Sequence, residues 1–241
     1  MRRLFIPRHR ITSDSAPLAE GERHYLLDVL RLSPGAELEV FDGEGGSYSA
    51  RLFVGEGGVG LGLGPRREVP APRACVQLAF ALARGDRCDL VVQKAVELGV
   101  VRLSPCVAER SLMRLDAARG EARVRRWQRI AAEAARQCGR SDLPVVDSPA
   151  PLAHVLERVP EGFCKILFHE DGGHRLGDLV DRSAAGYLAL VGPEGGFTLG
   201  EVEMCLAAGA RMATLGPRVL RFETAGIVAT ALLQHLAGDL G

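Results

Sequence analysis

The chain has 241 residues, of which 47% are hydrophobic, and it carries 30 acidic and 30 basic side chains. This composition supports an extensive core in one large or two modest domains and excludes a disordered chain. A formal net charge of zero excludes a global field that draws the protein to nucleic acid, although a local basic face is still compatible with it.

The six cysteines form no CxxC pair, and none has a histidine at metal-ligand spacing. We therefore expect no metal site and a reducing compartment. The basic start at Arg2 and Arg3 is followed by too short an apolar run for a signal sequence, and no later stretch is long enough to span a bilayer. These features predict a cytoplasmic protein without a membrane partner.

The first part of the chain predicts a small β-barrel with one helix. In chain order, the predicted elements are a helix at 20–32 and alternating strands at 36–41 and 48–54, joined by a glycine turn. Residues 65–73 are stiff and polar and predict a linker. We accordingly expect a β-barrel domain at 1–70 and a second domain at 71–241.

Residues 55–60 match the dinucleotide-binding pattern GxGxxG. That pattern requires a strand before it and a helix after it. A strand precedes this segment, but Leu-Gly-Leu-Gly-Pro follows it and does not begin a stable helix. A barrel hairpin is therefore the favoured interpretation.

The second part alternates strands and helices, which predicts a parallel sheet covered by helices. The predicted strands are 75–82, 101–107, 145–146, 165–169, 187–191 and 212–215. The predicted helices are 86–98, 117–137, 151–158, 176–182, 199–208 and 224–236.

Two glycine turns follow strands of this predicted sheet. Residues 192–197 (Gly-Pro-Glu-Gly-Gly-Phe) precede Thr198, which with Glu201 forms a capping box at a helix start. Residues 215–225 form the second turn. Ligands of parallel sheets bind at the carboxyl ends of the strands, so the two turns together predict a pocket for a small cofactor.

Segments along nearly the whole chain, in order, resemble the RsmE family, the 16S ribosomal RNA uridine-N3 methyltransferases of the SPOUT class. The similar segments are residues 3–7, 24–31, 34–35, 93–100, 109–111, 127–140 with Pro144, 192–197, 215–221 and 223–225. One position departs from the family, which usually has threonine where this chain has Phe222.

The resemblance implies an α/β fold of the SPOUT α/β-knot type: a parallel sheet with helices on both faces and a deep C-terminal trefoil knot, preceded by a PUA-like barrel. It also implies S-adenosyl-L-methionine as cofactor, 16S rRNA of the small ribosomal subunit as substrate, and a homodimer. Three loops would gather around the cofactor, after residues 167–169, at 192–196 and at 215–224.

Carried onto this sequence, the resemblance implies a set of cofactor-binding residues. They are Leu167, His169, Leu190, Gly192, Pro193, Glu194, Gly195, Gly196, Leu215, Gly216, Val219, Leu220, Arg221, Thr224 and Ala225. The glycines would let the backbone approach a ligand, or they simply form a tight turn. Leu215 and Leu220 would hold the adenine, or they pack in the core.

Arg221 and Glu194 are the catalytic candidates. Arg221 would stabilise a uracil anion after N3 loses its proton, or it forms an ion pair with Glu223. Glu194 would attract the sulfonium or position the uracil, or it merely favours a helix start. His169 is a candidate base, although a lone histidine at a strand end is more often structural.

The RNA-binding candidates are Arg3, His24, Arg31, Arg110 and Arg140. Exposed arginines at loops suit phosphate contacts, whereas a helix C-terminal cap is the other interpretation of Arg140. Two alternative functions are still compatible with the sequence. One is a non-catalytic RNA-binding or assembly factor, and the other is a SPOUT methyltransferase acting on another RNA.

Overall fold

The computed structural model describes residues 2–55, 58–70, 72–111 and 117–241. The chain divides into two compact units. The first comprises Met1–Ala71 with Ala135–Leu143, and the second comprises Pro72–Ala134 with Pro144–Gly241. The first unit therefore includes a segment from the middle of the chain, which a single boundary near residue 70 does not describe.

The first unit is built on a six-stranded sheet. Its strands are β1 (Arg3–Phe5), β2 (Ser15–Pro17), β3 (Glu37–Phe41), β4 (Gly46–Gly55), β5 (Gly58–Leu63) and β6 (Arg67–Glu68). The order is β1-β3-β4-β5-β2 with β6 beside β4, and only the pair β1–β3 is parallel. Helix α1 (Glu20–His24) continues into a π-helical turn at Tyr25–Val29. The predicted strands and helix of this part of the chain are confirmed, and the closure of the sheet into a small barrel stays a prediction.

Strands β4 and β5 form the hairpin predicted for residues 55–60. Gly55 is paired with Gly58 and Phe53 with Gly60 in an antiparallel register. Strand β5 occupies the place where a dinucleotide-binding site requires a helix. Glu56 and Gly57 lie outside the described residues.

The glycine turn between β3 and β4 is organised by a buried carboxylate. Asp42 Oδ1 accepts hydrogen bonds from the N–H groups of Glu44 and Gly46, both at 2.8 Å, and Arg66 Nε donates to Oδ2 at 2.9 Å. Burial alone would raise the pKa of Asp42, but the hydrogen bonds from Arg66 and the backbone lower it. The carboxylate is therefore charged and fixes the turn.

The second unit has an entirely parallel sheet. Its strands are β7 (Val76–Ala81), β8 (Arg102–Val107), β9 (Val145–Val146), β10 (Ala150–Pro151), β11 (Phe163–Phe168), β12 (His174–Arg175), β13 (Gly186–Val191) and β14 (Arg211–Thr214). Its helices are α2 (Arg87–Glu97), α3 (Ala117–Cys138), α4 (Leu152–Glu157), α5 (Leu176–Leu179), α6 (Leu199–Ala207) and α7 (Phe222–Ala237). The last residues of α3, from Ala135, belong to the first unit. The order is β10-β8-β7-β13-β11-β14-β12, with β9 beside β8.

Helices cover both faces of this sheet, as predicted. On one face, Leu188 and Leu190 of β13 belong to a buried cluster that includes Val155 of α4 and Cys205 of α6. On the other face, α2 and α7 pack against each other, and α7 also packs against β7 and β13. Strands buried on both sides explain why their sequences are nearly continuous apolar runs.

The connection from β14 to α7 positions the functional site. Strand β11 lies between β14 and β13, yet α7 packs on β13 and β7. Residues 215–221 must therefore pass the carboxyl end of β11 to reach α7. The deep trefoil knot that the resemblance implies stays a prediction.

Candidate functional site

The carboxyl ends of β11, β13 and β14 surround a cavity of about 300 Å³. The loops that follow these three strands form its wall, together with Arg87 at the start of α2. Its lining residues are Arg87, Phe168, His169, Glu170, Val191, Gly192, Pro193, Glu194, Gly196, Phe197, Leu215, Gly216, Arg218, Val219, Leu220, Arg221, Phe222 and Ala225. The two glycine turns, distant in sequence, therefore face one space.

Most of the predicted cofactor residues line this cavity. They are His169, Gly192, Pro193, Glu194, Gly196, Leu215, Gly216, Val219, Leu220, Arg221 and Ala225. Four others do not line it. Leu167 and Leu190 are fully buried in the sheet core, Gly195 contacts Arg110, and Thr224 is exposed on the first turn of α7. The geometry gives Leu167 and Leu190 a packing role.

Seven lining residues are not among the predicted cofactor residues, and the charged ones are Arg87, Glu170 and Arg218. Glu170 follows His169 and Arg218 precedes Val219, and both neighbours are predicted cofactor residues, so adjacency in sequence was the available signal. Arg87 comes from the start of α2, more than a hundred residues before the first glycine turn. No local pattern connects it to that turn.

The first glycine turn is tightly packed. A Cβ atom at Gly192 would lie 3.1 Å from Phe197 Cδ2, so glycine is needed there for packing. Gly196 has φ +68°, which side chains other than glycine rarely adopt. Glu201 N donates to Thr198 Oγ1, and Thr198 N donates to Glu201 Oε2 at 2.9 Å, so the predicted capping box is confirmed.

The loop after β8 is fastened to this turn by two hydrogen bonds. Arg110 Nη1 donates to the carbonyl oxygen of Gly195 at 2.8 Å, and the N–H of Glu109 donates to Glu201 Oε1 at 2.8 Å. Glu201 thus accepts bonds from the helix cap with one oxygen and from the neighbouring loop with the other. Arg110, predicted to contact RNA, is exposed but also restrains the glycine turn.

Glu194, the carboxylate of the first turn, is paired within the cavity wall. Arg87 Nη1 lies 2.5 Å from Glu194 Oε1, with the two side chains 43% and 24% exposed. Nearby Cys88 is buried, and its burial raises the pKa of the thiol to about 11. The sulfur is therefore protonated at neutral pH and is not a nucleophile.

The second turn presents an apolar stretch and two arginines to the cavity. Gly216 has φ +106°, and its N–H donates to Thr214 Oγ1 at 3.1 Å. Val219 is 78% exposed although it is large and apolar. Among the described residues, neither Arg218 nor Arg221 has a side-chain hydrogen bond or ion pair. The alternative of an Arg221–Glu223 ion pair is therefore wrong.

The packing of Phe222 accounts for an aromatic residue at the position where the family usually has threonine. Phe222 is 3% exposed, and its ring centroid lies 6.4 Å from that of Phe80, which in turn contacts Trp127 edge-on at 5.8 Å. The side chain anchors the start of α7 in the apolar core and also lines the cavity. A polar contact at this position is replaced by aromatic packing.

His169 is held by the loop that follows it. Its Nδ1 accepts a hydrogen bond from the N–H of Asp171 at 3.1 Å. This bond assigns the proton of the neutral ring to Nε2, which leaves no lone pair free to accept a proton. The geometry favours the structural interpretation of His169 over that of a general base.

Two of the RNA-binding candidates are engaged inside the first unit. Arg3 donates to Glu39 at 2.7 Å and to the carbonyl of Arg140 at 2.9 Å, and it lies over the ring of Phe41. Arg140 is paired with Asp142 at 2.6 Å and its side chain is 11% exposed. These contacts give Arg3 and Arg140 structural roles, and their predicted phosphate contacts stay predictions.

The other two candidates of the first unit are at the surface. His24 Nδ1 lies 2.8 Å from Asp28, with both side chains about two-thirds exposed (66% and 67%). Arg31 is exposed and has φ +52°. Within the part of the chain that the structure describes, no three His, Cys, Asp or Glu side chains are grouped to hold a metal ion.

Comparison with known proteins gives consistent matches over both units. A family profile described as RNA methyltransferase domain matches residues 70–234, and one described as RNA methyltransferase PUA domain matches residues 18–59. The ribosomal RNA small subunit methyltransferase E of Synechocystis sp. is 33% identical over 241 aligned residues, which cover 97% of this chain and 77% of the relative.

Two solved structures are also similar over the whole chain. The ribosomal RNA small subunit methyltransferase E of Neisseria gonorrhoeae, bound to S-adenosyl methionine, has a TM-score of 0.89 at 31% identity and covers 100% of both chains. A methyltransferase of Legionella pneumophila with the bound cofactor SAM has a TM-score of 0.89 at 28% identity and covers 97% of both chains.

Proposed function

The chain belongs to the ribosomal RNA small subunit methyltransferase E family, and we propose that it transfers a methyl group from S-adenosylmethionine to N3 of a uridine in 16S rRNA. The observation that carries this proposal is the convergence of three strand-end loops on one cavity of about 300 Å³. That volume lies at the lower end of the range for small-molecule sites, about 300–1,000 Å³.

The residues of the cavity fit the proposed cofactor. Leu215, Val219 and Leu220 offer an apolar surface for a purine ring, and the turn at Gly216 leaves open space on the cavity side. S-adenosylmethionine supplies an already activated methyl group. The protein therefore needs to supply alignment and electrostatics, not covalent chemistry.

Arg221 is the proposed catalytic group for the uracil. The uridine N3 must release its proton to solvent water before or during attack on the methyl group, which leaves S-adenosylhomocysteine as the second product. Negative charge then spreads over the uracil ring. A guanidinium without a competing partner, at the cavity wall, would stabilise this charge. The two charges attract most strongly once water is excluded.

Glu194 is the group proposed to position the uracil base. Arg87 holds its Oε1, which leaves Oε2 to accept the uracil N3–H and to orient the base. His169 Nδ1 already accepts a hydrogen bond from the N–H of Asp171. We therefore propose that stabilisation of the uracil anion contributes more to the rate than a dedicated general base does.

The proposed substrate is 16S rRNA of the small ribosomal subunit. The proposed domains are a PUA-like domain at 1–70, to which the segment 135–143 also belongs, and a methyltransferase domain in the rest of 71–241. Arg110, Arg31 and His24 are the exposed candidates for RNA contacts. A homodimer is part of the proposal, supported by large apolar side chains left exposed on the second unit outside the cavity, such as Leu199 at 83% and Leu206 at 45%.

A cytoplasmic location completes the proposal, because that is where the small subunit is assembled and modified. Among the described residues, no helix combines the length and the apolarity needed to cross a lipid bilayer.

The proposal is tested on small subunits from a bacterium that lacks this modification. The purified protein is incubated with them and with methyl-labelled S-adenosylmethionine, and the 16S rRNA is digested and analysed by mass spectrometry. We expect labelled 3-methyluridine, formed far more slowly when Arg221→Met replaces the wild type. RNA binding without label would support the assembly-factor alternative, and label only in tRNA or 23S rRNA would support another substrate.

A further inference from the structure

Glu170 is a cavity residue whose carboxylate has no partner. It follows β11 directly after His169 and lines the cavity. Its carboxylate lies against the first glycine turn, since a Cβ atom placed on Gly196 would be 3.2 Å from Glu170 Oε1. Among the described residues, its side chain forms no hydrogen bond and no ion pair.

Some charged side chains of the cavity lining form an ion pair with each other, and others have no partner. The charged lining residues, histidine aside, are Arg87, Glu170, Glu194, Arg218 and Arg221. Glu194 is neutralised by Arg87 at 2.5 Å. Glu170 is therefore the carboxylate of the described lining that is left to meet a positive charge, while Arg218 and Arg221 would repel one.

We propose that Glu170 recognises the positively charged end of S-adenosylmethionine, an inference that rests on the proposed function. The cofactor carries two cationic groups, the sulfonium and the α-ammonium. Placing either beside two unpaired arginines is unfavourable unless an opposite charge lies close by. Glu170 supplies that charge from the loop after β11, and Gly196 leaves room for its carboxylate beside the first glycine turn.

The proposal gives Glu170 and Glu194 different roles in the cavity. The sequence alone singled out Glu194 as the charge inside the glycine turn and allowed it to attract the sulfonium. In the structure Glu194 already has a cationic partner, so Glu170 takes the cation and Glu194 keeps the positioning role.

Calorimetric titration of three ligands into the full chain tests this assignment. S-adenosylmethionine has both cationic groups, S-adenosylhomocysteine has only the ammonium, and 5′-methylthioadenosine has neither. Glu170→Gln keeps the shape and removes the charge, and Glu170→Asp keeps the charge on a shorter stem. Glu203→Gln, exposed on α6, is the matched control.

We expect Glu170→Gln to weaken S-adenosylmethionine binding by about tenfold, which corresponds to about 1.4 kcal/mol. Binding of 5′-methylthioadenosine stays unchanged, Glu170→Asp retains part of the affinity, and Glu203→Gln behaves as wild type. If S-adenosylhomocysteine is weakened equally, the ammonium is the recognised group. If it is unaffected, the sulfonium is.

Equal affinity of wild type and Glu170→Gln for S-adenosylmethionine would overturn the inference and leave the proposed function standing. An equal loss for all three ligands would also overturn it, because a neutral adenosine moiety would then be the group contacted. Failure of the wild type to bind S-adenosylmethionine at all would instead remove the proposed function.

Discussion

Arg110 donates a hydrogen bond from Nη1 to the main-chain oxygen of Gly195 at 2.8 Å. An arginine that follows β8 thus fixes the peptide between β13 and α6. Because Glu201 also binds the N–H of Glu109, the loop and the turn are held at two points. The first glycine turn is therefore preorganised by contacts outside its own sequence.

Arg110→Met removes one of these two restraints. We expect the dissociation constant for S-adenosylmethionine to rise by about fivefold, since a hydrogen bond of this kind contributes about 1 kcal/mol. Calorimetry measures the change, and Arg129→Met, on the exposed side of α3, is the control. Unchanged affinity in Arg110→Met would show that the turn holds its shape alone.

Arg221→Met is expected to lower kcat by about 100-fold or more, because a group that stabilises charge only in the transition state acts on kcat. Affinity for S-adenosylmethionine should not fall, because the guanidinium repels the cationic groups of the cofactor. Arg221→Lys keeps the positive charge and should recover part of the loss. A methylation rate close to wild type in Arg221→Met would assign Arg221 to another role.

Gly216→Ala tests the backbone of the second turn. The position has φ +106°, so alanine is strained there by about 1–3 kcal/mol even though no atom lies within 4 Å of the added methyl group. We expect a lower melting temperature and weaker cofactor binding. Gly177→Ala, at an open position in α5 with ordinary φ, should leave both unchanged or slightly raise stability.

The lowered pKa of Asp147 predicts that the free energy of unfolding depends on pH. Burial alone would raise its pKa, but hydrogen bonds from Arg102 and Ser104 lower it below the usual 3.8. A carboxylate with a depressed pKa in the folded state stabilises the protein above the unfolded pKa, and this contribution is lost as pH falls through the folded pKa.

Asp147→Asn should therefore lower the free energy of unfolding at pH 7 by about 2 kcal/mol. The difference from wild type should shrink as the pH falls below 3.8. Denaturant titrations at several pH values measure it, with exposed Asp178→Asn as control. If the difference in unfolding free energy between wild type and Asp147→Asn stays constant with pH, the negative charge of Asp147 is not what stabilises the protein.

Arg140→Ala separates a structural arginine from a phosphate contact. The guanidinium is paired with Asp142 at 2.6 Å and mostly buried, so we expect a loss of about 1–2 kcal/mol in stability. The salt dependence of RNA binding should match wild type. A slope flattened by about one unit would restore Arg140 to the RNA interface.

Local patterns were sufficient to predict most elements of the second unit. Buried strands such as β7 and β13 are nearly continuous apolar runs, and α6 begins with a capping box. The apolar runs identified the strands, and the capping box identified the start of the helix. The two-residue strands β10 and β12 were missed. Each pairs at the edge of the sheet, where the partner strand and not the local sequence decides the structure.

The site was predictable where its residues are close in sequence. Both glycine turns follow buried strands, and the rule that ligands bind at strand ends placed them together correctly. Arg87 was unpredictable because only the tertiary fold brings α2 to Glu194. The ion pairs of Arg3 with Glu39 and of Arg140 with Asp142 were also unpredictable, because each depends on the tertiary fold; RNA contact by these arginines stays a prediction.

A crystal structure of the protein with S-adenosylmethionine tests the central claim most directly. We predict electron density for the cofactor between the turns at 192–196 and 215–221, with the methyl group open toward Arg221. Density for the cofactor at any other place on the chain, or an empty cavity at saturating cofactor, would contradict the account.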